Sequence, residues 1–362
     1  MKNSQKGFAN IILLVVIVAI VAVGGYFIFG KKSTVPLSTS QPQSNTPSKT
    51  SDLIIQETKE LALGITGSHP KFSPNGNKIL LESRDKSEGL WIVNIDGSDL
   101  ENIYKGSLSA VDDYEWSPDG KFVFVVTLTE TSSRFAGSKD EVISVINVQS
   151  KEIKQIFGPT SNILYPEWIS KNEIAFIYEI YKSNENKFYN ENFAIFDING
   201  EKKNYQDGGQ PVFFYTSYRN NAGDQATIKS VTRDGIVKEL TGTSFSYPTI
   251  SLDGKKIVFS GSGQLMTMNI DGSEKMTVTN DSGAVDAVWS PSGKIIAYSV
   301  EKDDGHAILE WDIYAINSDG TGKIKLTNSG KKFASNPRWS PDGKKLVFNY
   351  NETGKIGVLI FK

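Results

Sequence analysis

Short apolar runs separated by glycine turns fill most of the chain. Five segments share one pattern: FSPNGNKILLES (72–83), WSPDGKFVFVVT (116–127), ISLDGKKIVFSG (250–261), WSPSGKIIAYSV (289–300) and WSPDGKKLVFNY (339–350). A sixth, WISKNEIAFIYE (168–179), is degraded. Each reads as a short strand, a tight turn and an apolar strand. Proline ends the first strand because it cannot donate to a ladder. Asp-Gly or Asn-Gly supplies the positive φ of a hairpin turn. The Ile, Val and Phe that follow suit a buried strand. A second pattern comes next, as in LWIVNIDG (90–97), VISVINVQS (142–150), FAIFDING (193–200), TIKSVTRDG (227–235), LMTMNIDG (265–272) and IYAINSDG (313–320). Short β-prone runs such as EKMTVT (274–279) and KIKLT (323–327) complete a unit of four up-and-down strands.

One slot, two residues before the aromatic, is held by Pro70, Tyr114, Pro166, Pro211, Pro248, Ala287 and Pro337. Four strands recurring about every 44 residues make a β-propeller blade. The fold class is therefore all-β, a propeller of seven blades, or of six if the poor fourth unit around Pro211 is not a blade. The last unit, ending KIGVLIFK (355–362), lacks a fourth strand. ELALGITG (60–67) reads like KIKLTNSG (323–330), so it is expected to close the ring and cover an exposed edge.

The apolar pattern changes at the N-terminus. Phe8 to Phe29 carries no charge over 22 residues. As a helix it would span about 33 Å, against a hydrocarbon core of roughly 30 Å. Residues 8–30 are read as one transmembrane signal anchor, behind a short basic N-terminus (1–7). A cleaved signal peptide would have a shorter apolar run of about 7–15 residues. Lys6-Gly7-Phe8 resembles a type IV prepilin processing site, with Ile12 where that pattern has Glu. Residues 31–51 form a Ser/Thr/Pro-rich linker, expected to be disordered and to reach roughly 25 Å as a coil. The propeller domain occupies 52–362. Lys2 and Lys6 face Lys31 and Lys32 across the span, and the α-amine tips the balance toward an extracytoplasmic propeller.

The [FW]-S-P-[DNS]-G-[KN] stretches and [ND]-x-[DN]-G turns resemble the WD-like repeats of TolB-type propellers over about 300 residues. That resemblance implies a cell-envelope protein that binds other envelope proteins or peptides through its propeller without catalysis. It also implies six blades beside a separate N-terminal domain, whose place is taken here by the anchor and linker. Similar propellers precede the hydrolase domain of prolyl-oligopeptidase-like peptidases.

Charge sharpens the division. Residues 1–51 hold five Lys and no acid, while the body carries a net −7, which argues against nucleic-acid binding. The absence of cysteine removes disulfides, thiolate metal sites and cysteine nucleophiles. No GxSxG elbow and no phosphate loop occurs. His69 falls in the slot before Pro70 and is read as structural, and His306 as solvated. Asp96, Asp271 and Asp319 are read as hairpin turns, not calcium ligands. Trp116, Trp168, Trp289 and Trp339 recur at one slot and are read as inter-blade packing. No catalytic, cofactor or metal residue is expected.

In an up-down blade the second turn and the blade-to-blade link share one face. The second turns grow long at 129–141, 180–192 and 301–311. They carry Arg134, Phe135, Tyr181, Phe188, Tyr189 and Trp311, residue types that anchor protein interfaces. The expectation is a membrane-anchored, non-catalytic binding scaffold with a protein or peptide partner. The alternative is an enzyme acting on glycans or another envelope polymer through a polar central pocket, recognisable by acidic residues from several blades meeting there.

Overall fold

The computed structural model describes residues 48–362, apart from 84, 86–87, 107, 109–113, 130–139, 161, 183–186, 207, 219–225, 243–244 and 262–263. The anchor expected at 8–30 and nearly all of the linker lie outside the described residues. No helix among the described residues is long and apolar enough to cross a membrane.

Seven antiparallel sheets follow one another along the chain, so the choice between six and seven blades falls to seven. In chain order the sheets open on Ser68–Phe72, Tyr114–Trp116, Asn162–Ser170, Phe213–Tyr218, Phe245–Ile250, Ala284–Trp289 and Ala334–Trp339. Each seam between neighbouring blades holds its own apolar cluster. Blades 1 and 2 share Leu80, Ile92, Tyr114 and Val125, and blades 4 and 5 share Phe214, Ile228, Ile257 and Phe259. The second strands are packed on both faces, with Ile79, Leu80 and Leu81 fully buried. That explains why they read as continuous apolar runs and not as alternations.

The motif turns are held by their serine. Gly120 N–H donates to the Ser117 carbonyl at 2.8 Å, Ser117 Oγ donates to Asp119 Oδ1 at 2.8 Å, and Ser117 Oγ accepts from Phe122 N–H at 3.0 Å. Only the glycine takes positive φ, at +71°, so the aspartate locks the turn and does not supply the left-handed residue. Asp96 plays the same part in the turn between the third and fourth strands, accepting from Ser98 N–H at 2.9 Å.

The N-terminal part of the body does close the ring, but earlier in the sequence than expected. Ile55–Leu61 pairs antiparallel with Lys355–Phe361, and ELALGITG overlaps it by two residues only. Gly64, at φ +72°, belongs to the link that carries the chain from this outer strand to the inside of blade 1. Glu60 is ion-paired to Lys332 and Lys355, and Leu53 packs into the seam of blades 6 and 7. Thr50 N–H donates to Asn317 Oδ1 at 2.9 Å and its hydroxyl to the Gly322 carbonyl at 2.6 Å.

Candidate functional site at the channel

A first strand pairs on one edge only, so its other edge borders the central channel. In blades 1, 3, 5, 6 and 7 this strand carries the same irregularity, a register shift around His69, Tyr165, Tyr247, Asp286 and Asn336. All five are non-glycine residues with φ between +49° and +56°. Such conformations cost of order 1–3 kcal/mol each and collect at ligand sites. Bulges of this kind re-aim side chains. They lie at the start of the inner strand, on the face that carries the second turns.

Just past each bulge comes the slot of Lys71, Glu115, Glu167, Thr249, Val288 and Arg338, with the blade 2 strand beginning at Tyr114. The recurring tryptophans fix this slot from the next blade. Trp116 Nε1 donates to the Lys71 carbonyl at 3.4 Å, Trp168 to that of Glu115 at 3.1 Å and Trp289 to that of Thr249 at 3.0 Å. They are nearly buried, so their inter-blade role stands, and they also set the channel lining.

Blade 4 departs from this scheme. Leu240 N–H donates to the Ile228 carbonyl and Ile228 N–H to Thr241 Oγ1, both at 2.9 Å. Blade 6 shows the same pair between its third and fourth strands, from Leu326 and Ile313 to the Ile313 carbonyl and Thr327 Oγ1. The turn Thr232–Gly235 likewise matches the turn Asn317–Gly320 between those strands. The three strands Phe213–Tyr218, Ala226–Val231 and Val237–Glu239 therefore match the second, third and fourth of a blade that has no inner strand among the described residues. The chain leaves blade 3 after the two-residue strand Lys202–Lys203, and only nine residues separate it from Phe213. The weak point of this unit, poor in its sequence pattern, is thus its first strand. The Pro211 slot leads directly into an outer strand.

Among the described residues no inner strand therefore stands between Tyr165 and Glu167 on blade 3 and Tyr247 and Thr249 on blade 5, which leaves a gap in the ring of inner strands. Tyr165 and Tyr215 of blade 4 have ring centroids 6.1 Å apart, and Tyr247 N–H donates to Thr216 Oγ1 at 3.0 Å. Behind them, Glu191 accepts from Tyr215 OH at 3.0 Å and is ion-paired to Lys229 at 2.8 Å. Lys71 is buried and Glu115 is half-buried, whereas Glu167 is exposed. The missing neighbour explains that exposure.

Charged groups line the inner strands on both sides of the ring. Glu167 reaches solvent inside the channel yet is crowded by the surrounding blades, and that crowding, reinforced by the charge of Glu115, pushes its carboxyl up to about 7. Glu115 is paired with Lys71 Nζ at 3.1 Å, and Lys71 also donates to the Tyr114 carbonyl at 2.8 Å. His69 Nδ1 lies 3.0 Å from Oε1 of the buried Glu82, and Asn336 N–H donates to Asp286 Oδ2 at 3.3 Å. A carboxyl of blade 2 and one of blade 3 thus interact at the channel, beside the Lys71 ammonium. The available signal was a charged residue next to Trp in a strand that is otherwise apolar.

The second-turn residues fall elsewhere. Arg134 and Phe135 lie outside the described residues. Tyr181 and Phe188 are paired neighbours in a hairpin of Glu173–Lys182 and Lys187–Asp197, with Tyr189 opposite Ile180. The stretch 301–311 is likewise mostly strand, because Ile295–Asp303 pairs with Ile308–Asn317. Both expected loops are extended hairpins that continue the blade ladders. Trp311 is half-buried with its indole N–H shut off from solvent, and His306 is exposed. An apolar groove of about 460 Å³, lined by Ile156, Phe157, Pro159, Tyr178, Ile180 and Phe196, lies outside the ring between blades 2 and 3 and holds no titratable carboxyl or amine. Among the described residues no three His, Asp or Glu side chains gather to hold a metal ion.

No family model matches the sequence, and no curated protein matches it. Solved structures do. An oligogalacturonate lyase in complex with manganese superposes with a TM-score of 0.60 at 12% identity, covering 86% of this chain and 96% of that one. An oligogalacturonate lyase from Vibrio parahaemolyticus gives 0.58 at 13%, covering 85% and 98%. The Swd1 β-propeller domain of Myceliophteria thermophila gives 0.56 at 10%, covering 84% and 100%. At these identities the likeness shows the propeller fold. It also corrects the expectation that the chain is not an enzyme. That expectation rested on missing sequence motifs, and this fold serves as the scaffold of lyases.

Proposed function

We propose that this protein is a glycan-cleaving enzyme whose active site is the propeller channel where Glu115 of blade 2 meets Glu167 of blade 3, beside blade 4. One observation carries the reading: an exposed carboxyl at the centre of the ring, Glu167, is raised to about 7 beside a second, ion-paired carboxylate, Glu115. Two carboxyl groups with separated roles are what glycosidic hydrolysis requires. Glu167 gives its proton to the glycosidic oxygen as the bond from that oxygen to the anomeric carbon breaks. Glu115 takes a proton from the water whose oxygen bonds to that carbon. Lys71 and the Trp168 N–H hold Glu115 in place. The lyases with this fold are named for an oligosaccharide substrate, which supports a glycan as the substrate class.

The 22-residue apolar run and the lysine balance support a propeller held by residues 8–30 on the extracytoplasmic side, where envelope glycans are available. The TolB-like repeat motifs fit the same setting. The test is release of reducing ends from a panel of envelope polysaccharides. Wild type should cleave at least one, and Glu167→Gln should lose about 10²–10⁴-fold in rate. Equal rates for the two proteins would overturn the reading.

A second reading concerns the hairpin face. Ile180, Ile308 and Leu309 are exposed there by 47%, 37% and 60%. We read this face, with Arg134, Phe135, Tyr181, Phe188, Tyr189 and Trp311, as the docking surface for an envelope protein or peptide. Substituting Arg134, Phe135 and Tyr189 by Ala should abolish capture of the partner, and full retention would reject the surface.

A further inference from the structure

The gap left by the missing inner strand is bordered by an unusual tyrosine. Tyr247 is exposed by 64%, so little packing holds its side chain in place. It nevertheless sits at φ +56°, immediately before Pro248. A bulky residue there is a genuine outlier, and a following proline narrows the preceding residue further. Glycine would take this conformation without strain. The fold therefore tolerates a strained aromatic ring, displayed to solvent, at one edge of the gap. Tyr165 holds the equivalent strained position at the other edge, with φ +54°.

The charges around the gap select against a polyanion. Lys71 is matched by Glu115, and the same slot adds Glu167 against Arg338. Asp286 stands at the rim, and the body as a whole carries a net −7. A chain of uronic acids would meet no surplus of cations, whereas an uncharged sugar needs none. Aromatic faces with nearby hydrogen-bonding groups suit a pyranose ring, which presents an apolar face and a polar edge.

We infer that the gap in blade 4 is a sugar-binding subsite for an uncharged glycan, with Tyr247 as its stacking platform and Tyr165 opposite. This rests on the reading of the channel as a glycan site. It goes further in placing the sugar at the missing strand and in excluding polyuronates as the preferred ligand.

The experiment measures binding by calorimetry and melting temperature on the same samples. The probes are cellohexaose, the hexamer of N-acetylglucosamine and hexagalacturonate. The proteins are the full chain, Tyr247→Gly, Tyr247→Phe and Glu167→Gln. Wild type should bind one of the neutral hexamers at least tenfold more tightly than hexagalacturonate. Tyr247→Gly should weaken that binding at least tenfold with a melting temperature no lower than wild type, and Tyr247→Phe should bind within about threefold. Unchanged binding by Tyr247→Gly, a lowered melting temperature in that variant, binding of none of the neutral hexamers, or preference for hexagalacturonate would each overturn the subsite. Glu167→Gln separates the two claims. Retained cleavage by that variant, with binding lost in Tyr247→Gly, would reject the acid role and leave the subsite standing. Lost cleavage, with Tyr247→Gly binding normally, would do the reverse.

Discussion

At the scale of single residues, Glu167 makes a prediction about stability as well as activity. Its value is raised from an ordinary 4.5 to about 7. The folded state therefore holds this proton more tightly than the unfolded chain. The contribution of Glu167 to stability therefore falls as pH rises from about 4.5 to about 7 and stays reduced above that window. Glu167→Gln removes the ionising group, so its melting temperature should exceed that of wild type at pH 8. The two should converge near pH 4, as thermal melts at both pH values would show. Activity should follow the protonated acid and decline as pH rises through about 7. Trp168→Phe deletes the 3.1 Å hydrogen bond to the Glu115 carbonyl. A cost of about 1 kcal/mol in stability is expected from that one bond. Because Trp168 only positions Glu115, the pH profile of this variant should keep its inflection while the maximal rate drops. The sequence showed the tryptophans clearly but not the carboxylates they hold, because pattern reading searches for known motifs. Glu115 and Glu167 are 52 residues apart, and only the packing of blade 3 on blade 2 brings them together.

At the scale of elements, periodicity carried most of the information. Turn chemistry and the apolar second strands located the blades, because burial on both faces demands a continuous apolar run. Two elements escaped it. The closing strand Ile55–Leu61 is an outer strand with one wet face, so IQETKEL has little apolar content to recognise. Deleting residues 52–61 should lower the melting temperature sharply, since it exposes the edge of Lys355–Phe361 and breaks the Glu60 pairs with Lys332 and Lys355. A melt unchanged by the deletion would remove the closure from the account. The hairpin of blade 6 escaped in another way, since polar residues at 301–307 hide a ladder that runs to Asp303. Glu310 stabilises it: hydrogen bonds from Lys302 and Lys325 pull its carboxyl down to about 2. That contribution is present above the ordinary carboxylate range and is lost as pH falls toward 2. Glu310→Gln should cost about 1 kcal/mol or less at pH 7, as expected for a largely exposed pair, and nothing at pH 2.

At the scale of the whole molecule, seven near-equivalent blades would enclose a near-symmetric channel, and the chain breaks that symmetry at blade 4. Omitting one inner strand costs little, because the seams on both sides of blade 4 keep their clusters through Phe213, Tyr215 and Phe214. The omission exposes Glu167, leaves Tyr247 at an edge and puts the chemistry on the hairpin face of the ring. This was legible in the sequence only as a poor fourth repeat, for a missing strand leaves no pattern of its own. The central claim is hydrolysis of a glycan at this break in symmetry. Its most direct measurement is cleavage in heavy-oxygen water, followed by mass spectrometry of the products. The account predicts one heavy oxygen at each new reducing end, with no product from Glu167→Gln. Unsaturated products without label, or labelled product formed equally by Glu167→Gln, would contradict it.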